Sequence, residues 1–177
     1  MKPRDFNSTG KWSATAIQER YADYSKHEGV TSPVDVAPLI VRQGEKVWIY
    51  PVMDKILLGI RAGDKACALI GVEFLEEDRK FAWGVRLKSS VARALKQQNL
   101  PENLKERLRR RFVVMLLSEN VPREFRYYAK LLRKVGFESH WRDLELGISR
   151  NNKYVMRHFS FLRAVHERSS AVFRREG

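Results

Sequence analysis

The sequence predicts an all-α fold, on three observations. Apolar residues recur at helical spacing along most of the chain. From Pro51 to Gly136 these segments are of similar length and separated by short Gly or Pro breaks. The one run that favours a strand, KVWIYPVM, has no evident partner strand nearby. Seven to eight helices in a single domain over residues 14–177 are expected. They would form antiparallel hairpins in a compact bundle or a short α-solenoid-like stack, and the lack of a repeat leaves these two open.

Residues 1–13 are polar, contain Pro3 and Gly10, and read as a flexible arm that Phe6 or Trp12 could anchor. Ser13 is placed to cap a helix over residues 14–28, with Ala14, Ile17, Tyr21 and Tyr24 on one face and Gly29 as its stop. Ser32-Pro33 has the N-cap and first-turn pattern of a second, short helical segment ending at Gly44, its regularity limited by Pro38. KVWIYPVM is read as an extended or loosely helical lead-in to a helix over residues 51–62.

Gly63-Asp64 breaks and caps the chain before a helix that is apolar on nearly all sides, with Ala66, Leu69, Ile70, Val72, Phe74 and Leu75 marking a central element. A helix over residues 85–98 has Leu87, Val91, Ala94 and Leu95 as its stripe, and Asn99-Leu100-Pro101 is a clean boundary. The next, over residues 102–119, buries Leu104, Leu108, Phe112 and Met115. A short helix ending near Gly147 and a final one from Lys153, frayed beyond about Arg168, complete the chain.

The helix over residues 122–135 is the most sharply two-sided. Pro122 suits its first position, Glu124 its first turn, Arg133 and Lys134 its last turn, and Gly136 its end. Phe125, Tyr128, Leu132 and Val135 line one face. Arg123, Arg126, Lys130, Arg133 and Lys134 occupy an arc of about 100° opposite, with Tyr127 at its edge.

Charge follows the same geography. The formal net charge is +13, yet residues 1–78 hold 10 basic and 12 acidic side chains. Residues 79–134 hold 16 basic and 4 acidic, with ten arginines against six lysines. A basic balance of this size implies an acidic partner: nucleic acid, an anionic surface or an acidic protein. Guanidinium groups bind phosphate oxygens two at a time, which favours a phosphate backbone. The expected nucleic-acid-binding residues are Arg86, Arg93, Arg107, Arg110, Arg111, Arg123, Arg126, Tyr127, Lys130, Arg133 and Lys134, on three successive helices whose exposed faces merge if they pack antiparallel. Tyr127, Trp83 and Phe81 are candidates for stacking on unpaired bases, against the plainer reading of core or loop packing. For the basic faces, the plainer reading is an ordinary solvated surface.

Catalytic chemistry is not legible. Cys67 lies in the apolar run ACALIGV, suits a buried inert thiol, and suggests a reducing compartment. The carboxylates Glu76, Glu77 and Asp78 have no histidine at ligand spacing, so no metal is expected, and Gly-rich phosphate loops and G-x-S-x-G are absent. Arg133 and His140, six residues between them, resemble the Arg…His pair of some RNA-cleaving helical nucleases, but Gly136 interrupts the pair. The expected function is therefore a non-enzymatic, cytoplasmic nucleic-acid-binding protein with RNA or DNA as partner, no cofactor and no membrane. The alternative is a scaffold docking an acidic protein. The distant one is a helical ribonuclease using His140 or His158.

Overall fold

A computed structural model describes residues 3–80, 83–137 and 139–173, the last five by backbone alone. The described residues form eight α-helices and one small sheet, an all-α fold. The chain divides into two compact units, Met1–Leu100 and Pro101–Gly177, at the Asn99-Leu100-Pro101 break.

In the first unit, β1 (Arg4–Asp5) pairs in parallel with β3 (Lys46–Ile49), which pairs antiparallel with β2 (Ile40–Gln43) in the order β1-β3-β2. The hairpin corrects the expectation of a helical segment after Ser32-Pro33. Pro33 and Pro38 each lack a donor, Ile40, Val41, Val47 and Ile49 are β-branched, and Gly44 opens a two-residue loop at φ +56°. The missing partner of KVWI is thus the segment read as helical. Residues 3–13 are tied down as well: Phe6 N–H donates to the Ile49 carbonyl, and buried Trp12 donates from Nε1 to Glu77 Oε2 at 2.6 Å.

Helix α1 (Ala14–His27) starts at Ser13, whose Oγ accepts from Ala16 N–H. Helix α2 (Met53–Ala62) ends at Gly63, φ +86°, and Asp64 caps α3 (Lys65–Glu77) by accepting from Cys67 N–H. Asp64 also accepts from Tyr21 Oη at 2.7 Å, tying α1 to the same corner. Helix α3 is buried on almost every side, as its sequence implies, and packs against α1, α2 and α4 (Gly84–Leu95). Close approach to α2 depends on glycine. A Cβ on Gly59 would lie 2.3 Å from Cys67 Sγ and 3.0 Å from its Cβ, and one on Gly71 would lie 2.6 Å from Ile60 Cδ1.

The second unit is a four-helix bundle running alternately up and down: α5 (Glu102–Leu117), α6 (Phe125–Val135), α7 (His140–Gly147) and α8 (Lys153–Phe173). Phe112 of α5 stacks on Tyr128 of α6 (centroids 4.9 Å, 13°), and Phe125 meets His158 of α8 edge-on at 5.0 Å. Trp141 of α7 stacks on Phe159 and His166 of α8, and Gly147 lets α7 close on Leu117 of α5. Helix α6 begins three residues later than expected. Phe125 N–H donates to the Pro122 carbonyl and Tyr127 N–H to that of Glu124, so Pro122 to Glu124 form a tight lead-in turn in which Glu124 is buried. Helix α8 continues to Phe173, beyond the fraying point expected near Arg168, and its first turn is capped by Asn152 Oδ1.

Candidate nucleic-acid interface

The eleven sequence-expected residues fall into three groups with different electrostatic roles. Arg86 and Arg93 belong to α4 in the first unit and are exposed. Arg86 donates to Asp54 at 2.9 Å and its guanidinium lies 4.8 Å from the Trp83 ring centre, so its charge is largely answered within the unit. Arg93 donates to Ser90 Oγ. The lysine between them, Lys88, is buried and paired with Asp78 at 2.7 Å. Trp83 meets Phe6 and Tyr50 edge-on and remains 41% exposed. Phe81 lies outside the described residues.

On α5, Arg107 and Arg111 are half-buried and Arg110 is 74% exposed, 3.8 Å from Glu106. Arg109, in the middle of the arginine run, turns inward and is only 2% exposed. Its guanidinium binds Glu102 and donates to the Val135 carbonyl, satisfying an otherwise orphaned acceptor at the end of α6. Hydrogen bonding from Arg109 holds the Glu102 carboxyl below its usual range, and the contact with His140, whose Nε2 lies 2.8 Å from Glu106 Oε1, does the same for Glu106. These groups stitch the bundle together.

Helix α6 differs. Arg123, Arg126, Lys130, Arg133 and Lys134 are all exposed, and among the described residues none of the five is in an ion pair. The core positions Phe125, Tyr128, Leu131, Leu132 and Val135 are buried on the opposite side. Tyr127 is half-buried, with the Arg126 guanidinium 4.7 Å from its ring centre and bonded to its hydroxyl at 2.9 Å. Arg126 is thus pre-positioned, at the expense of one face of the tyrosine. Arg133 reaches over Phe161 of α8 at 5.8 Å.

No protein family, curated protein or solved structure matches this chain. The site is therefore read from its own geometry.

The residues missed by sequence reasoning lie on α8. With Val155, Phe159 and Leu162 buried, the outer side flanking α6 carries Lys153, Tyr154, Arg157 and Phe161. The signal existed: these positions recur at helical spacing with no acidic residue among them. It is diluted in the net charge of the tail, where Glu138, Asp143, Glu145, Glu167 and Glu176 offset the basic residues.

Three of the four histidines, His140, His158 and His166, make packing or hydrogen-bond contacts within the second unit. His158 packs on Phe125, and burial together with the neighbouring Arg157 charge pushes its pKa down. His166 stacks on Trp141 at 4.3 Å, and His140 is engaged by Glu106. Among the described residues no cluster of three or more His, Cys, Asp or Glu could hold a metal ion. Glu77 is engaged by Lys11 and Trp12, and Asp78 by Lys88. Cys67 is fully buried beside Asp64, and desolvation pushes its thiol pKa far up, which suits an inert core group. No helix among the described residues is long and apolar enough to cross a membrane.

Proposed function

We propose that this protein binds RNA or DNA without chemical turnover, through phosphate contacts made by the exposed basic face of α6 with Arg110 of α5 beside it. The observation that carries the reading is the row of five exposed cations on α6 and its lead-in turn, none of them in an ion pair among the described residues. A merely solubilising surface mixes signs and pairs them, as α4 and α5 do here with Asp54, Glu102 and Glu106. Phosphates supply the charge that this face lacks, and three of these five cations are arginines able to grip two oxygens at once. A cytoplasmic setting fits the single, buried, reduced Cys67.

Replacing Arg126, Lys130 and Arg133 together with Glu tests this. All three are exposed, so the fold should hold while retention of nucleic acid is lost. Neutralising five phosphates predicts that wild-type affinity falls roughly 100-fold for a single strand and roughly 500-fold for a duplex between about 50 and 200 mM salt. Undiminished binding by the triple variant removes α6 from the interface.

A second reading, protein docking, is supported in the first unit, where Leu39, Ile40 and Val41 are exposed at edge strand β2. If a defined protein partner is retained after nuclease treatment and lost on Ile40→Lys, that surface acts as its dock.

A further inference from the structure

We infer that the nucleic acid is single-stranded and lies along the junction of α6 and α8, with Tyr154 stacking on an unpaired base. This rests on the phosphate-binding reading of α6 and extends it to residues that reading does not include.

Two contacts fix α8 beside the basic helix: Phe125 against His158 at 5.0 Å, and the Arg133 guanidinium over Phe161 at 5.8 Å. Both α6 residues therefore adjoin the middle of α8, next to Arg157, which is exposed and outside any ion pair among the described residues. The cations of α6 and Arg157 thus belong to one surface of the bundle.

That surface also carries one aromatic ring that the core does not use and a second that reaches it in part. Tyr154 is 61% exposed, although large aromatics normally bury most of their area. Phe161 is half-buried. The two are seven residues apart on α8, which places them on one face about 10 Å from each other. Each is accompanied by a cation, Lys153 at 5.3 Å from the Tyr154 ring centre and Arg133 at Phe161.

An exposed ring and a half-buried one among cations combine the two elements that hold unpaired strands: charge that follows the backbone and flat apolar faces that accept bases. A duplex offers the same phosphates but keeps its bases stacked inside, so it gains nothing from Tyr154 or Phe161. An acidic peptide would use the cations and leave the rings without a role.

The test is fluorescence anisotropy on the full chain, with a labelled single-stranded dodecamer and a duplex of the same sequence. The single strand is expected to bind at least about tenfold more tightly. Tyr154→Ala is expected to weaken single-strand binding about 5- to 150-fold. Tyr154→Phe should restore it, and duplex binding should be unmoved. Equal affinity for duplex and single strand, or a Tyr154→Ala variant that binds the single strand like wild type, overturns the inference. If either result accompanies loss of binding in the Arg126→Glu, Lys130→Glu, Arg133→Glu variant, the phosphate reading of α6 stands and only the single-strand assignment fails. If wild type binds neither ligand, the phosphate reading fails and the inference with it. Because Tyr154 is exposed, unchanged thermal unfolding of its variants is expected and separates lost contact from lost fold.

Discussion

Replacing Arg109 with Met should destabilise the bundle by about 2 to 3 kcal/mol, most of it from one hydrogen bond. A bond from a charged donor to a buried carbonyl contributes roughly 1.5 to 3 kcal/mol, and Arg109 is the donor that satisfies Val135 at the end of α6. Methionine keeps much of the apolar stem and leaves little cavity. The carboxylate partners add little to the loss, since Glu102 is 66% exposed and can rehydrate when its arginine goes. For a chain of this size a 2 kcal/mol loss lowers the melting temperature by about 4 to 8 °C. Thermal and urea unfolding followed by circular dichroism read it. The control is the adjacent Arg110→Met, which should stay within about 0.5 kcal/mol of wild type because Arg110 is a surface group. An Arg109→Met variant as stable as that control would refute the reasoning that Arg109 holds the bundle together. The two arginines also separate in function: Arg109→Met, assayed while folded, should bind nucleic acid like wild type.

Stability should also fall with acid in a defined direction. Glu102 and Glu106 titrate below their usual range in the folded chain, so their contribution is present above the unfolded carboxylate value of about 4.3 and is lost as pH drops through the lower folded values. The Glu102→Gln, Glu106→Gln double variant should start less stable at neutral pH and lose less between pH 5 and pH 3; parallel melting curves would exclude these carboxylates as the cause. Gly59→Ala should destabilise by about 1 to 3 kcal/mol despite alanine's better helix propensity, because the added methyl meets Cys67 Sγ and Cβ. Combining it with Cys67→Ala should recover part of the loss in urea unfolding, since Sγ is the closer of the two clashing atoms.

The helices were legible where periodicity and punctuation agreed. Ser13 and Asp64 act as caps, Gly63 as a stop, and the all-round apolarity of α3 marks the most enclosed helix of its unit. The hairpin was illegible for a physical reason. Its strands are four residues each, so period-2 alternation has too little length to show, and β2 is exposed along its whole length, which removes the apolar face that betrays a strand. What remained was the Gly44-Glu45 loop between β-branched runs, a turn signal that outweighs the Ser-Pro pattern upstream. The start of α6 misled differently. Pro122 has the geometry of a first helical residue, but its carbonyl closes a three-residue turn before the regular bonding begins.

The candidate site was legible in composition and illegible in pairing. An arginine count does not distinguish Arg109, sunk against Val135, from Arg110 one residue on, because that depends on which side of α5 the neighbouring helix covers. Nor does it distinguish Arg86, answered by Asp54 from thirty-two positions away, from Arg126, which bonds to the hydroxyl of neighbouring Tyr127. Sequence neighbourhood suggested that the basic surface continues from α6 back through α5 to α4. Within the bundle it continues forward, across a short intervening helix to α8, because α6 packs against α8 while α7 packs against α5. A charge tally by stretches of sequence cannot find a surface built from alternate helices. A tally by helix face can, and applied to α8 it puts Lys153, Tyr154, Arg157 and Phe161 on the side toward Arg133, which makes Tyr154 the residue whose replacement separates a surface that merely attracts phosphate from one that also holds a base.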